Sequence, residues 1–461
     1  MGTKLTRNIK EIFEKKVFDF LDYPMTILSV YACTYFIYQD FGVRQVLGYA
    51  VLSLLLIGIV LKNFSNFSIE NLNIFHYTYL FMLIVILLNF IRPDAYHDKE
   101  SFSYIVIMII TFGFFVFSKI NLIDVKKSLS VFLGTSVVFS IIILFFQVFK
   151  DLYWSLIYPL LSVTAQELAK RYFFKGYSIS FGGVAYTSYI IVFGLIILLS
   201  YLIYNDLHAK SKLRLYSIMA LLTLTLILLG RRGELLAFLV ALIVYYIFRA
   251  RQGSRLKRAS IVVSTIIGII ILIIICLPFL LKIKFLHRYT MTLNALVNGT
   301  NMTGGVTSGR IELYNKAYSL FKENLVFGVG WGSFAKHGYL VLGKPAGTTR
   351  NVHNIVLQLL AETGLVGFLG IMSPLLFSYY KTSYLLSEIN TNESKDYSIS
   401  VLKILISVSL LLQSFILFAS LIDPINFKNI FWILYVILSM INSYVFSNIN
   451  STKNLKSKYF A

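Results

Sequence analysis

The sequence predicts an all-α polytopic membrane protein with about 12 transmembrane helices and a large extracytoplasmic loop before the tenth. Three observations predict it. Of the 461 residues, 57% are apolar and 14% charged, with a mean hydropathy of +0.75; a soluble domain has about 25% charged residues and 45–50% apolar ones. The apolar residues fall in continuous runs rather than in strict alternation. A bilayer core takes roughly 20 such residues as a helix, and only helices or closed barrels satisfy the backbone there. Lastly, clusters of Lys and Arg recur after every second run, the spacing that anchors cytoplasmic loops.

Elements follow in order. Residues 1–23 are polar and mixed in charge, without the short apolar core of a cleavable signal, and read as a cytoplasmic arm. Spans are expected near 24–39, 45–62, 74–91, 102–118, 128–149, 185–204, 213–230, 235–249 and 259–281, so that nine helices fill 24–281 with an outer loop at 150–184. A large outer loop then covers 282–352. Helices near 355–380, 398–420 and 427–447 fill 353–447, and 448–461 is a cytoplasmic tail. Lys4, Arg7, Lys10, Lys15 and Lys16, then Lys119, Lys126 and Lys127, then Lys210, Lys212 and Arg214, then Arg249, Arg251, Arg255, Lys257 and Arg258, and finally Lys453, Lys456 and Lys458 all fall on one side. Both termini are therefore expected in the cytoplasm.

The composition excludes a soluble enzyme, a disordered chain and a disulfide scaffold, since Cys33 and Cys276 sit alone inside apolar runs. A net charge of +21 would suit a nucleic-acid binder, but 39 Phe and 31 Tyr among long apolar runs do not, so no nucleic-acid partner is expected. Two outer segments are basic against the orientation rule. Residues 150–184 carry Lys150, Lys170, Arg171 and Lys175; residues 282–352 carry nine Lys and Arg against Glu312 and Glu323, a net +7. Long loops escape the rule, and this charge points to an external anion. The competing reading is a loop lying on anionic lipid headgroups.

Three stretches carry chemistry. Arg231, Arg232 and Glu234 lie between two apolar runs; arginines there either face a cavity or partner or snorkel to the interface beside a helix-start acid. In residues 308–334, Ile311, Tyr314, Ala317, Tyr318 and Phe321 have the spacing of an amphipathic helix opened by Arg310. Gly328, Gly330 and Gly332 then give a turn that backbone can use to approach a ligand, although no Lys-Ser/Thr follows to make it a phosphate loop. In residues 348–370, Arg350 and His353 stand where the outer loop enters a helix, and Asn354 and Gln358 follow one turn apart. Glu362 lies about 13 Å deeper by helix rise, as a site acid or the partner of a buried arginine. Gly364, Gly367 and Gly370 read as close helix packing. The six histidines are scattered, so neither a metal nor a cofactor is expected.

Taken in order, these stretches resemble the O-antigen polymerase and O-antigen ligase superfamily of bacterial envelope enzymes. The resemblance rests on Arg232-Gly233 ahead of a span, on Arg310 opening a helix that ends in a Gly-x-Gly-x-Gly-x-Phe turn at Phe334, and on His353-Asn354, Leu357-Gln358 and Glu362-Thr363-Gly364. It covers residues 225–372, and the late outer loop extends it over the chain. Arg231 stands where the family commonly has a small polar residue, so either arginine of the pair can serve. The resemblance implies a C-type glycosyltransferase-like fold in the bacterial cytoplasmic membrane, and metal-independent transfer of a glycan from a polyprenyl diphosphate on its outer face. Donor and acceptor are lipid-linked oligosaccharides, with membrane lipids, a chain-length regulator and a flippase as further partners.

The residue types suit that chemistry. Arginines neutralise a departing diphosphate with forked hydrogen bonds, which nominates Arg232 and Arg310, then Arg350 and Arg231. Histidine titrates near neutrality and can take the proton of an attacking sugar hydroxyl, which nominates His353. Asn354, Gln358, Glu362, Lys175 and Arg171 are the supporting set. Richness in Lys, Asn, Ile, Tyr and Phe suggests an AT-rich coding sequence and tilts the reading toward a polymerase of O-antigen or capsule repeat units. A ligase acting on lipid A core is the alternative, and a transporter of the same lipid the more distant one.

Overall fold

The computed structural model describes residues 19–93, 95, 99–174, 179, 181, 183–205, 208–249, 310–334, 351–391, 397–422 and 429–459. All regular structure among them is helical. The helices are α1 (Pro24–Thr34), α2 (Phe36–Asp40), α3 (Gln45–Asn63), α4 (Ile74–Ile91), α5 (Lys99–Phe117), α6 (Leu122–Val148), α7 (Val163–Phe174), α8 (Val184–Tyr204), α9 (Ala209–Leu228), α10 (Arg232–Arg249), α11 (Arg310–Glu323), α12 (Ile355–Thr391), α13 (Tyr397–Ser420) and α14 (Asn429–Tyr459). Among the described residues eight, α3, α4, α6, α8, α9, α12, α13 and α14, are long and apolar enough to cross a membrane. The apolar parts of α5 and α10, Phe102–Phe117 and Gly233–Phe248, are shorter. The chain is an all-α polytopic membrane protein.

The expected spans meet this architecture with local differences. The span near 24–39 is two helices, α1 and α2, separated at Tyr35. The helix expected from 128 begins at Leu122, and the one expected to end at 380 runs to Thr391. The segment 150–184 is built rather than open. It holds a π-helical turn at Tyr153–Ile157 and then α7, tied to α2 where the Ser162 N–H donates to the Asp40 carbonyl at 2.7 Å. The ninth span, at 259–281, and most of the loop at 282–352 lie outside the described residues, as do residues 1–18 of the N-terminal arm and Cys276.

Helix starts are set by local chemistry. Pro24 sits in the first turn of α1, where its missing N–H costs nothing. Asn73 caps α4 in a reciprocal box with His76. Asn121 accepts from the Asp124 N–H at 2.9 Å to start α6. Asp124 in turn caps a different helix: its carboxylate accepts the N–H groups of Met25 and Thr26, both at 2.9 Å, and the Thr26 hydroxyl at 2.7 Å. This buried acid holds the start of α1 against α6.

α8, α13 and α14 are the inner helices, most of their residues enclosed by protein, whereas α3 and α9 turn most of theirs outward. Since lipid is as apolar as Leu, helices associate through close packing and polar seams. At Gly194 of α8 a Cβ would come within 2.5 Å of Ser136 Oγ, and that hydroxyl donates across to the Ile190 carbonyl at 2.7 Å. Deeper in the bundle, Thr382 Oγ1 accepts from Gln413 and Asn442, both at 2.9 Å, joining α12, α13 and α14.

The bundle has two distinct ends. Asp22 pairs with Lys62 at 2.8 Å, Asn63 reaches the Phe117 carbonyl, and Asn121 reaches the Asp22 carbonyl; these define the Asp22 end, which also carries Lys126 and Lys127. The opposite end gathers Arg92 after α4, the start of α10, the start of α12 and the last turn of α13.

Replacing Asp124 by Ala strands two backbone donors and a hydroxyl, and the variant loses about 2–4 kcal/mol of stability. Asn, which keeps one acceptor oxygen, loses about half as much; thermal unfolding in detergent ranks parent, Asn and Ala in that order.

Candidate functional site

The site is built around a break in α12. At Gly364 the backbone leaves the helix with φ +62 and ψ −165, a left-handed turn that favours glycine. The break opens carbonyls at Ala361 and Glu362 and N–H groups at Leu365 and Val366. Residues 325–330 enter it. Val329 N–H donates to the Ala361 carbonyl at 2.9 Å and Gly330 N–H to the Glu362 carbonyl at 2.8 Å, while the N–H groups of Leu365 and Val366 donate to Leu325 and Val326 at 2.9 and 3.1 Å. All four opened groups are re-paired with another stretch of chain, as low-dielectric surroundings require.

Glycine at 328 serves the same junction. Its φ is +63, and a Cβ there would lie 2.4 Å from the Glu362 carbonyl carbon; a Cβ on Gly364 would lie 2.4 Å from Val326 backbone. The turn expected to approach a ligand thus closes on α12. Gly370 does pack a neighbour, Val85, as the sequence suggested, and Gly367 lies against Thr363 and Asn89.

Glu362 is fully buried. Its carboxylate accepts the Gly332 N–H at 3.0 Å, the Phe334 N–H at 3.3 Å and the Gln358 amide at 3.3 Å. It therefore organises the glycine turn, with Trp331 and Phe334 buried beside it. Since Gln358 must present its NH2 to this carboxylate, its oxygen faces outward and accepts the Val352 N–H at 3.2 Å. Asn354 caps α12 by accepting the Leu357 N–H at 3.1 Å and reaches the Leu421 carbonyl at 3.2 Å. Asn354, Gln358 and Glu362 thus hold backbone in place.

Between these anchors stands His353, with φ +61, the only non-glycine residue with a positive φ among the described residues. Such a conformation costs on the order of 1–3 kcal/mol and persists where surroundings over-determine it, commonly at functional sites. Here Val352 and Asn354 are pinned on either side, and the Tyr314 hydroxyl donates to the His353 carbonyl at 3.4 Å. Tyr314 belongs to α11, whose Leu313, Ala317 and Leu320 pack with Phe334, Val352 and Ala361 in a small core of their own. Arg310, the first residue of α11, is half-buried one turn from Tyr314 and has no hydrogen bond or ion pair among the described residues. The amphipathic helix expected at 311–321 is this one, and it brings Arg310 to the His353 end.

Arg231 and Glu234 form an ion pair at the start of α10, the arginine also donating through Nε at 2.8 Å. Gly233 next to them lies against Ile422, the neighbour of the Leu421 that Asn354 reaches, so this pair joins the same end. Arg232 opens α10 and Arg171 lies on α7; their side chains, and all of Arg350 and Lys175, lie outside the described residues. α7 packs on α2, and the described contacts do not bring it to α11 or α12.

One arginine escaped the sequence reading. Arg92, just past α4, donates to the carbonyls of Phe327 and, at 3.2 Å, Gly328, with its guanidinium 5.8 Å from the Phe327 ring. It straps the inserted turn to the bundle. The signal was an arginine directly after the apolar run at 74–91. Among the described residues no group of three His, Cys, Asp or Glu could hold a metal ion.

Residues 217–372 match a family model described as O-antigen ligase. The match takes in most of α9, all of α10 and α11, and α12 past its break. It supports the O-antigen ligase and polymerase superfamily as this stretch's kin, and membrane-embedded glycan transfer as the general class of activity. No curated protein matches the chain.

Alanine at Gly364 or Gly328 destabilises the junction by about 3 kcal/mol or more, from backbone strain and overlap together; at Gly370, where the neighbour is a side chain, the loss is smaller. Folded yield and melting temperature in detergent test the ranking. Arg92→Ala leaves the bundle intact and speeds proteolytic cleavage within 324–334 several-fold, read by the sites of nicking.

Proposed function

We propose that this chain polymerises O-antigen or capsular repeat units. A glycan carried on a polyprenyl diphosphate is transferred to a sugar hydroxyl of another lipid-linked unit, with the His353 end on the outer face of the cytoplasmic membrane and both termini inside. The observation that carries the reading is the convergence, within the matched stretch, of a strained His353, an Arg310 without protein partners among the described residues, and the start of α10.

The step balances as a direct displacement. The acceptor hydroxyl oxygen attacks the anomeric carbon from the face opposite the diphosphate, and His353 takes the hydroxyl proton. The bond from anomeric carbon to diphosphate oxygen breaks with its electron pair, and the configuration inverts. Arg310 and Arg232, with Arg350 and Arg231, neutralise the leaving polyprenyl diphosphate through charged, forked hydrogen bonds. Arg231 already shares its charge with Glu234, which favours Arg232 of the pair as the diphosphate contact. Asn354, Gln358 and Glu362 fix the backbone around the base; Lys175 and Arg171 would steer anionic lipid from the side.

The ligase reading shares every one of these residues and differs in acceptor, lipid A core instead of a second lipid-linked unit. Purified protein supplied with lipid-linked repeat units gives a ladder of products under the polymerase reading. Transfer to lipid A core alone supports the ligase, and unchanged donor with translocation across vesicles would end both. In the same reaction His353→Gln lowers the rate about 10²–10⁴-fold. Arg310→Ala weakens donor binding about 10–100-fold; a parent-like Kd would remove it from the diphosphate clamp.

A further inference from the structure

A second site lies at the Asp22 end, away from His353. Ile123, Lys126, Lys127, Ser130 and Val131 share one face of α6, and with Thr26 of α1 they line an open groove of about 520 Å³. Ile123, both lysines and Ser130 are exposed, so this face meets the surroundings of the bundle, not its core. One turn further along the same face stands Gly134, where a Cβ would meet nothing within 4 Å. Beyond it Val138 and Ile141 are exposed.

The polar groups of the groove are mostly committed elsewhere. The Ser130 hydroxyl turns back to the Lys126 carbonyl at 2.8 Å, and the Thr26 hydroxyl donates to Asp124. Asp124, the acid beside the lysines, directs its carboxylate at the first turn of α1. Lys127 Nζ lies 3.4 Å from the centre of the Tyr23 ring, which fixes the ammonium at the rim. The groove thus carries Lys126 and Lys127 at its rim; further along the same helix face Gly134 adds no side chain, and Val138 and Ile141 are exposed and apolar.

We propose that this groove binds an anionic phospholipid, its phosphate between Lys126 and Lys127 and one acyl chain along Ser130 and Gly134. A polyprenyl phosphate has the same head chemistry, but its reacting group belongs at the His353 end, the length of α6 away. The preference for a phospholipid over a polyprenyl phosphate rests on the glycan-transfer reading; the pair of lysines on the exposed face of α6 does not.

Native mass spectrometry of the detergent-purified full chain tests it, with phosphatidylglycerol, phosphatidylcholine and undecaprenyl phosphate offered separately at matched concentration. The parent retains one more phosphatidylglycerol than phosphatidylcholine. K126Q/K127Q lowers that retention about tenfold or more, in line with two lysines at a charged lipid surface. Gly134→Leu keeps the charges, adds bulk on the exposed helix face where the acyl chain would lie, and lowers retention about threefold or more at unchanged melting temperature. Equal retention of both phospholipids, undiminished binding by Gly134→Leu, or preference for undecaprenyl phosphate that K126Q/K127Q abolishes would each overturn the proposal.

Discussion

The exchange of backbone hydrogen bonds at Gly364 is the constraint on which the site depends. An unbroken helix of 37 residues would run straight on through the His353 end of the bundle. Instead it opens, and residues 325–330 fill the opening. In water such a break would be satisfied by solvent. Within a protein built for lipid it needs four matched partners, and these come from a segment more than thirty residues earlier. Everything that assembles at the His353 end is hung from this join: Glu362 sits one residue from the opened carbonyl of Ala361, Gln358 one turn above, and Val352 and His353 above that.

From this join the histidine inherits its geometry. A left-handed non-glycine residue at a helix entry is unfavourable by itself, yet each neighbour has its N–H or side chain committed, and Tyr314 holds the carbonyl. The strain is stored by packing of α11 against α12, which also sets where Arg310 stands. Two links thus meet at this end: the buried Glu362 carboxylate ties the glycine turn through Gln358 to the backbone beside His353, and the packing of α11 places Arg310.

Much of the membrane architecture was legible because hydropathy is a local property. Runs of Leu, Ile, Val and Phe near 45–62, 185–204 and 398–420 need no partner to be read as spans. The α11 periodicity was likewise local. What the sequence concealed was non-local. Glu362 reads as a site acid or an arginine's partner, and only the fold brings the N–H groups of Gly332 and Phe334 around it; Gly328 reads as part of a turn, and only the fold sets Gly364 opposite it. Asp124 is lost among lysines because the backbone it caps is 98 and 99 residues away. Arg92 was passed over for the same reason, since the carbonyls it holds are at residues 327 and 328. The break at Tyr35 has no sequence marker of the Gly or Pro kind; tyrosines 31, 35 and 38 cluster there with Tyr186, and Gly48 gives α3 room against them.

The register between α11 and α12 has an electrical consequence. Tyr314 lies beside His353, and eleven residues later Leu325 lies beside Leu365, so the two segments run side by side in the same direction, with α11 beginning about one turn ahead of the His353 contact. Each helix beginning carries roughly half a positive charge from its aligned peptide dipoles. Two such poles abreast repel one another, and the join at Gly364 keeps them together. The mouth around His353 is consequently electropositive through its peptide groups alone, at any pH, and an anion resting between the two beginnings would relieve the repulsion.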